Sequence, residues 1–290
     1  MPEQPLAIKD YETLIKPTWC PGCGNFSIWL AVRQALVKLN IQPHEIALTF
    51  DIGCNSNGAN FIKGYVCHAL HGRSLPAAEG IRWANHKLKA VIAFAGDGGG
   101  FGIGLGHFLH ACRRNIDLLY ITHDNQIYGL TTGQTSPTSE KGFVTKSTPF
   151  GNLENPVNPS ALAITNQATW VARGFAGEVQ QLTDLIVKGL QHPGFAHLDV
   201  LQPCVTFNKL NTFDWFRKRV YKLEETDYQP TDRTKAWQKS WEIDEKIALG
   251  VLYQEQKPTY EDQIPQLAKG ALVEKKLGLV DLTKALAEFR

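Results

Sequence analysis

An aspartate and an asparagine stand where two short apolar runs of the sequence end. The first run, Ala90 to Ala95, carries no charge and predicts a buried strand that leads into Gly96-Asp97-Gly98-Gly99-Gly100. The second, Leu118 to Thr122, predicts another buried strand and is followed by Asp124 and Asn125. A carboxylate and an amide oxygen beside a glycine-rich turn suit a hard divalent cation that bridges to phosphate groups. The pattern therefore indicates diphosphate chemistry.

A strand–helix–strand unit would bring these two side chains together. Between the two runs, Phe101 to Arg114 has apolar residues at helical spacing. The crossover of such a unit is right-handed and its strands are parallel, so Asp97 and Asn125 are expected at one carboxyl edge of a sheet. That edge is where open α/β sheets bind ligands.

Two commoner kinds of glycine-rich phosphate site do not match the sequence. Residues 96–106 contain no G-x-G-x-x-G, and the chain has no Gly-Lys pair as a P-loop would need. Gly96-Asp97-Gly98, followed by Asn125 at the end of the next strand, instead resembles the thiamine diphosphate motif. A glycine turn and an unrelated asparagine remain the alternative interpretation of this pattern taken alone.

Four of the six cysteines could meet at the same edge of the sheet. Cys20 and Cys23 form a C-x-x-C pair beside the N-terminus of a helix predicted over Phe26 to Leu39. Cys54 and Cys204 each follow a predicted strand directly, as the aspartate does. Four thiolates near one another suit Zn²⁺ or a [4Fe–4S] cluster. With a single C-x-x-C pair, the spacing alone favours zinc.

The other two cysteines fit a ligand role less well. Cys112 lies on the apolar face of its predicted helix and is interpreted as a small core residue. Cys67 could replace Cys54 as a ligand, but it falls inside a helix predicted over Phe61 to Leu70. His71, which follows that segment, could reach a phosphate, although a histidine at a helix end is more often structural.

Length and composition exclude several classes of protein. A chain of 290 residues with 43% hydrophobic residues can bury a substantial core without disulfides. Its 30 Lys and Arg nearly balance its 28 Asp and Glu, which argues against a general nucleic-acid or membrane-surface binder. There is no apolar run of about 18 residues, and the start is unlike a signal peptide. We therefore expect a cytoplasmic protein with reduced cysteines.

The character of the sequence divides the chain into three regions. Residues 1–18 are polar and contain prolines, and are expected to form an N-terminal arm. Residues 19–212 alternate strand and helix patterns, which predicts one α/β domain. Within it, residues 128–158 are irregular, and residues 131–138 are expected to be a binding loop. Residues 213–290 are richer in charged and aromatic residues, and are expected to be an irregular C-terminal extension that packs on the domain or on a partner subunit.

Taken in chain order, seven stretches closely resemble the β subunit of 2-oxoacid:ferredoxin oxidoreductases. They are Trp19-Cys-Pro-Gly-Cys-Gly24, Gly53-Cys54, His71-Gly-Arg-Ser-Leu-Pro76, Gly96-Asp-Gly98, His110-Ala-Cys-Arg-Arg-Asn115, Asp124-Asn-Gln-Ile-Tyr-Gly129 and Gln134-Thr-Ser-Pro-Thr138. The resemblance implies an α/β thiamine diphosphate-binding domain of the diphosphate-binding type. Such a domain has a mostly parallel sheet with helices on both faces.

The resemblance also assigns ligands to the cofactors. It replaces the zinc interpretation with a [4Fe–4S] cluster held by Cys20, Cys23, Cys54 and Cys204, and it implies Mg²⁺ on Asp97, Asn125 and the Ile127 carbonyl. The residues that it places around thiamine diphosphate are Gly53, Cys54, His71, Gly96, Asp97, Gly98, Gly99, Asn125, Ile127, Gly129, Leu130 and Thr131. His71 is the candidate catalytic residue of this chain. In this family the glutamate that activates the cofactor belongs to the α subunit.

The activity that the resemblance implies is oxidative decarboxylation of a 2-oxoacid with coenzyme A, or the reverse carboxylation. Electrons would pass through the cluster to ferredoxin, and an α subunit would complete the active site in an α2β2 heterotetramer. Residues 131–138 are most similar to the 2-oxoglutarate branch, which forms succinyl-CoA and CO2. Two residues depart from the family pattern. Asn57 stands where relatives often have Arg or Lys, and Gly99 stands where they often have Asp. These departures leave pyruvate or broad 2-oxoacid specificity open.

Two other interpretations make different predictions about metal content. A non-oxidative thiamine lyase would contain no iron. A zinc-stabilised structural or interaction protein would bind about one zinc ion per chain. Metal analysis of the purified protein therefore separates all three interpretations.

Overall fold

The computed structural model of the chain describes residues 5–275, 278 and 281–289. Across these residues the chain forms one eight-stranded sheet with helices on both faces. The strands are β1 (Ile46–Phe50), β2 (Tyr65–His68), β3 (Ala90–Gly96), β4 (Leu118–Asp124), β5 (Trp170–Phe175), β6 (Phe195–Leu201), β7 (Val220–Lys222) and β8 (Ile247–Gln254). The helices are α1 (Asn25–Lys38), α2 (Ser74–Ala84), α3 (Leu105–Arg114), α4 (Pro159–Thr165), α5 (Val179–Gln191), α6 (Phe213–Arg217), α7 (Arg233–Ser240) and α8 (Thr283–Ala287).

The sheet is mostly parallel, as the sequence predicts. The strand order is β2-β1-β3-β4-β6-β5-β8-β7. All pairs from β2 to β5 are parallel, whereas β8 runs antiparallel to β5 and β7 runs parallel to β8. The carboxyl ends of β1, β3, β4 and β6 therefore lie side by side at one edge of the sheet.

Two apolar layers hold the helices on the sheet. Because side chains alternate across a strand, Ile92 and Ile121 pack with α1 and α5 on one face. Val91 and Tyr120 pack with α2, α3, α4 and α7 on the other face. The central strands are buried along their whole length, and this rigid support fixes the loops at the carboxyl edge.

The helix predicted over 61–70 is wrong. Residues 65–68 form β2, which pairs in parallel with β1 at the edge of the sheet. This strand is largely exposed, so it lacks the clear alternation of apolar and polar residues that marks a half-buried strand. Cys67 therefore lies on a strand and not on a helix.

The region after residue 212 contains more regular structure than the sequence indicates. Residues 247–254 form β8, whose buried side chains extend the core beyond β5. The division of the chain at residue 212 stays a prediction, since β8 shares the sheet with the strands before it. No helix in the described ranges combines the length and the apolar composition needed to cross a bilayer.

Candidate functional site

A cavity of about 260 Å³, which we call the glycine-turn cavity, opens at the carboxyl edge of β1, β3 and β4. All twelve residues that the resemblance places around thiamine diphosphate line this cavity: Gly53, Cys54, His71, Gly96, Asp97, Gly98, Gly99, Asn125, Ile127, Gly129, Leu130 and Thr131. Ile52, Asn55, His123 and Tyr128 complete its wall. The structure thus brings the predicted residues together, while their binding of a cofactor stays a prediction.

The turn after β3 has no room for side chains. A Cβ atom on Gly98 would lie 2.1 Å from Cε1 of Tyr128, and one on Gly99 would lie 1.7 Å from Oδ2 of Asp51. The Tyr128 hydroxyl also donates a hydrogen bond to the Gly98 carbonyl over 3.0 Å. Residues 99–103 then form a π-helical turn that leads into α3. Gly98 and Gly99 are thus required for the close packing of Tyr128 and Asp51 on this turn. The backbone of Gly96, Gly98 and Gly99 also lines the cavity, at the start of the helical segment, where an anion could bind.

Asp97 is held by two hydroxyl groups of the loop that follows β4. The side chain is only 1% exposed. Ser136 and Thr138 both donate hydrogen bonds to its Oδ2, Thr138 over 2.7 Å. The Thr138 hydroxyl also lies 2.7 Å from Asp124 Oδ1, and because burial raises the pKa of Asp124, its protonated carboxyl can donate to this hydroxyl. Burial raises the pKa of Asp97 to about 6, and these hydrogen bonds oppose the rise. The two hydroxyl groups therefore fix the orientation of the Asp97 carboxyl at the edge of the cavity.

A tight turn after β4 presents Asn125 and Ile127 to the same cavity. Gln126 has a left-handed backbone conformation, with φ of 58°, which is uncommon outside glycine and is typical of functional turns. The Ile127 N–H donates to Asn125 Oδ1 over 3.1 Å, and Asn125 Nδ2 donates to Gln202 Oε1 over 3.2 Å. These contacts fix the orientation of the amide. Asp97, Asn125 and Ile127 thus lie in one cavity wall, as predicted.

His71 lies in the wall opposite β4. Its Nδ1 donates a hydrogen bond to the Ile52 carbonyl over 3.2 Å. Since a carbonyl can only accept, the neutral ring then has an unprotonated Nε2. A ring fixed in this way can accept a proton or a hydrogen bond from a group in the cavity. Its catalytic role stays a prediction.

A second cavity of about 200 Å³, the thiol cavity, is lined by Cys20, Cys23, Cys54 and Cys204. The other two cysteines lie elsewhere. Cys112 is buried in the core, and Cys67 faces a separate surface cavity near His44. The four predicted ligands therefore converge, and the alternative of Cys67 in place of Cys54 is not supported by the geometry. The described residues contain no three His, Cys, Asp or Glu side chains placed to hold one metal ion.

The thiols of the second cavity are partly withdrawn from water. Burial raises the pKa of Cys23 to about 12 and that of Cys54 to about 11, with a smaller contribution from the neighbouring thiols. Gln202 Nε2 donates to Cys23 Sγ over 3.4 Å. Thiols in such surroundings stay protonated unless a cation stabilises the thiolates.

Several residues of the site were missed by the sequence analysis. Asp51 is fully buried at the end of β1, with one oxygen that has no hydrogen-bond partner, and burial raises its pKa to about 7. Gln202 bridges the two cavities from the end of β6. Both residues directly follow a strand of the sheet, and this position in the sequence could have marked them as candidates. The contacts of Ser136 and Thr138 with Asp97 depend on the path of the loop, for which the sequence carries no signal.

Comparison with known proteins identifies the family of this chain. Residues 51–200 match the family described as "Thiamine pyrophosphate enzyme, C-terminal TPP binding domain", and residues 204–269 match the family of the C-terminal part of the pyruvate ferredoxin oxidoreductase beta subunit. The 2-oxoacid:ferredoxin oxidoreductase subunit beta of Saccharolobus solfataricus is 44% identical over 261 residues, which cover 86% of this chain and 85% of that protein. The 2-oxoglutarate oxidoreductase subunit KorB of Mycobacterium tuberculosis is 40% identical over 216 residues, which cover 74% of this chain and 57% of that protein.

A solved structure shows the same fold. It is 2-oxoglutarate:ferredoxin oxidoreductase from Magnetococcus marinus with 2-oxoglutarate, coenzyme A and succinyl-CoA bound, with a TM-score of 0.89 and 36% identity over 98% of this chain and 96% of that one. The resemblance stated from the sequence is thus confirmed. The chain belongs to the β subunits of 2-oxoacid:ferredoxin oxidoreductases, which are components of an enzyme.

Proposed function

We propose that this β subunit binds thiamine diphosphate with Mg²⁺ in the glycine-turn cavity and a [4Fe–4S] cluster in the thiol cavity. With an α subunit it would catalyse the coenzyme A-dependent oxidative decarboxylation of 2-oxoglutarate, or its reversal, and pass electrons to ferredoxin. The observation that carries this proposal is that the two cavities adjoin. Cys54, Asn125, Gly129 and Leu130 line both of them.

The glycine-turn cavity fits a metal-bound diphosphate. Asp97, Asn125 and the Ile127 carbonyl would supply oxygen ligands to Mg²⁺, which prefers carboxylate and carbonyl oxygens together with phosphate. The backbone of Gly98 and Gly99, which lines the cavity, would contact the diphosphate oxygens. Bound there, the cofactor supplies the carbanion chemistry of decarboxylation. The protein fixes its position and neutralises its charge.

The thiol cavity fits a cluster better than a single zinc ion. A zinc site needs its four sulfurs to converge on one point at about 2.3 Å, whereas no three of the described His, Cys, Asp or Glu side chains are placed to hold a single metal ion. The four thiols nevertheless line one cavity, as ligands of a larger group would. A Cβ atom on Gly129 would lie 3.5 Å from Cys54 Sγ and 3.6 Å from Cys204 Sγ, so the glycine leaves more room beside these two sulfurs than any other residue would.

An α subunit would cover the mouth of the glycine-turn cavity. Ile52 and Leu130 line this cavity and are 39% and 51% exposed. Leu70, which precedes His71, is 77% exposed. Apolar side chains grouped at the rim of a polar cavity are typical of a subunit interface. We expect the catalytic glutamate on that subunit, as the family resemblance implies.

The choice of 2-oxoglutarate draws on the relatives. The Mycobacterium tuberculosis subunit and the Magnetococcus marinus enzyme are both named for this substrate, and residues 131–138 resemble their branch. The second candidate is a broader 2-oxoacid specificity, because the Saccharolobus solfataricus relative, which is more similar in sequence, is named for 2-oxoacids in general.

The test is to purify the chain anaerobically together with its α subunit and to measure metals, cofactor and turnover. We expect about four irons and one thiamine diphosphate per β chain. We also expect coenzyme A-dependent ferredoxin reduction that is faster with 2-oxoglutarate than with pyruvate. Equal rates with both substrates would favour the broader specificity. Zinc without iron, or the absence of thiamine diphosphate, would reject the proposal.

A further inference from the structure

Gln202 lies between the two cavities and contacts both. It is 1% exposed and directly follows β6. Its Oε1 accepts a hydrogen bond from Asn125 Nδ2 over 3.2 Å. Its Nε2 donates to Cys23 Sγ over 3.4 Å and to the Pro203 carbonyl over 3.0 Å. One buried amide thus joins the proposed Mg²⁺ ligand to a proposed cluster ligand.

The side chain of Gln202 has little freedom to move. A Cβ atom on Gly24 would lie 2.8 Å from Gln202 Cγ and 3.3 Å from its Nε2, so the C-x-x-C loop packs directly on this side chain. The Gln202 backbone N–H donates to the Asp124 carbonyl over 2.8 Å, which ties the residue to the end of β4. The amide is therefore held in one orientation by packing as well as by hydrogen bonds.

A second hydrogen-bonded pair also joins the two cavities. His123, which lines the glycine-turn cavity, donates from Nδ1 to Asn25 Oδ1 over 2.7 Å. Asn25 lines the thiol cavity together with Cys23. Among the four thiols, Cys23 is the one that accepts the hydrogen bond from Gln202.

We propose that Gln202 is a positioning residue that raises the reduction potential of the cluster through Cys23 and orients Asn125 toward the metal, an inference that rests on the proposed function. An electron added to the cluster increases its negative charge. A hydrogen bond donated to a ligand sulfur stabilises that charge and makes reduction easier. At the other end, the bond from Asn125 Nδ2 leaves Asn125 Oδ1 facing the glycine-turn cavity.

Two variants separate the two ends of Gln202. Gln202→Met keeps the length of the side chain but removes all three of its hydrogen bonds. Gln202→Glu keeps an oxygen that can accept from Asn125, while it removes the donor to Cys23 Sγ and to the Pro203 carbonyl. The matched control is Gln34→Met on α1, where the lost hydrogen bond comes from the Thr183 hydroxyl over 2.9 Å. Gln34 does not line either cavity.

The measurement is a redox titration of the holoenzyme followed by electron paramagnetic resonance, with iron and thiamine diphosphate contents. In Gln202→Met we expect a more negative midpoint potential, with a change of about tenfold in the one-electron equilibrium, which is about 59 mV. In Gln202→Glu the potential should be more negative still, because this variant also adds a negative charge beside the cluster. Thiamine diphosphate affinity should fall about tenfold in Gln202→Met. It should stay within about twofold of wild type in Gln202→Glu.

Each outcome decides the inference. An unchanged potential in Gln202→Met, with full iron, would overturn it, whatever the potential of Gln202→Glu. So would loss of iron from both Gln202 variants while Gln34→Met retains it, because Gln202 would then be needed for assembly and not for tuning. A wild-type enzyme without iron would instead reject the proposed function, which keeps the two failures distinct.

Discussion

The Thr138 hydroxyl donates a hydrogen bond to Asp97 Oδ2 over 2.7 Å and thereby ties the loop after β4 to the glycine turn after β3. This loop carries no helix or strand in the described residues between 125 and 158, so the bond is one of the contacts that fix its path. The loop thereby fixes the orientation of the Asp97 carboxyl, which is the proposed metal ligand. It would thus support the proposed metal site without supplying a ligand.

Thr138→Val should weaken Mg²⁺-dependent binding of thiamine diphosphate about tenfold, since one hydrogen bond to a charged group contributes about 1.5 kcal/mol. Titration of the cofactor into enzyme depleted of it measures the effect. Thr145→Val, in the same loop, is the matched control, because the Thr145 hydroxyl bonds to the hydroxyls of Ser147 and Thr148 and not to Asp97. Equal affinities in the two variants would contradict the role of Thr138.

Asp97→Ala should abolish Mg²⁺-dependent thiamine diphosphate binding and leave the iron content unchanged. The reason is that Asp97 lines the glycine-turn cavity and not the thiol cavity. Cofactor and iron analysis of the purified variant measures both effects. Asp214→Ala, at an exposed position paired with Arg217, should retain both groups. Retention of the cofactor by Asp97→Ala would count against the metal assignment.

The convergence of the predicted ligands could be inferred from the sequence because it depends on few rules. Asp97, Asn125, Cys54 and Cys204 each follow a buried strand, and right-handed crossovers place such strand ends at one edge. In the structure these four residues line the two adjoining cavities at that edge. No contact between side chains was needed for this prediction, since the topology of the sheet decides it.

The contacts around these ligands could not be inferred in the same way. Gln202 meets Cys23 only because the C-x-x-C loop folds back onto the end of β6, and Ser136 reaches Asp97 only through an irregular loop. Such contacts depend on loop conformations that no periodic pattern encodes. The same limitation applies to β2, an exposed edge strand whose pairing with β1 leaves no strong pattern in its residues.

Gly129→Ala should reduce the iron content, because the added methyl group would lie 3.5 Å from Cys54 Sγ and 3.6 Å from Cys204 Sγ, in the space assigned to the cluster. Iron analysis and the absorbance of the cluster measure the loss, and circular dichroism reports the fold. Gly80→Ala on α2 is the matched control, since a Cβ atom there contacts nothing within 4 Å. Full iron in Gly129→Ala would place the cluster elsewhere.

Asp51→Asn should make the protein more stable at high pH. Burial raises the pKa of Asp51 from its ordinary value of 3.8 to about 7, so the folded chain favours the protonated carboxyl. At low pH the Asp51 carboxyl is protonated in both the folded and the unfolded chain. As the pH rises from about 4 to about 7, the unfolded chain loses its proton first, and the wild type loses up to about 1.4 kcal/mol of stability per pH unit.

The asparagine variant does not titrate, so its advantage over the wild type should grow across that interval and stay constant above it. Urea unfolding of the cofactor-free chains at about pH 5 and about pH 8 measures the difference. Asp184→Asn is the control. The hydrogen bond with Lys38 lowers the pKa of Asp184, so the Asp184 carboxylate stabilises the folded chain at every pH above the pKa that it has in the unfolded chain. This stabilisation is lost only as the pH falls below that value, so it does not change between about pH 5 and about pH 8. Parallel stability curves for Asp51→Asn and the wild type would show that the Asp51 carboxyl is ionised in the folded chain.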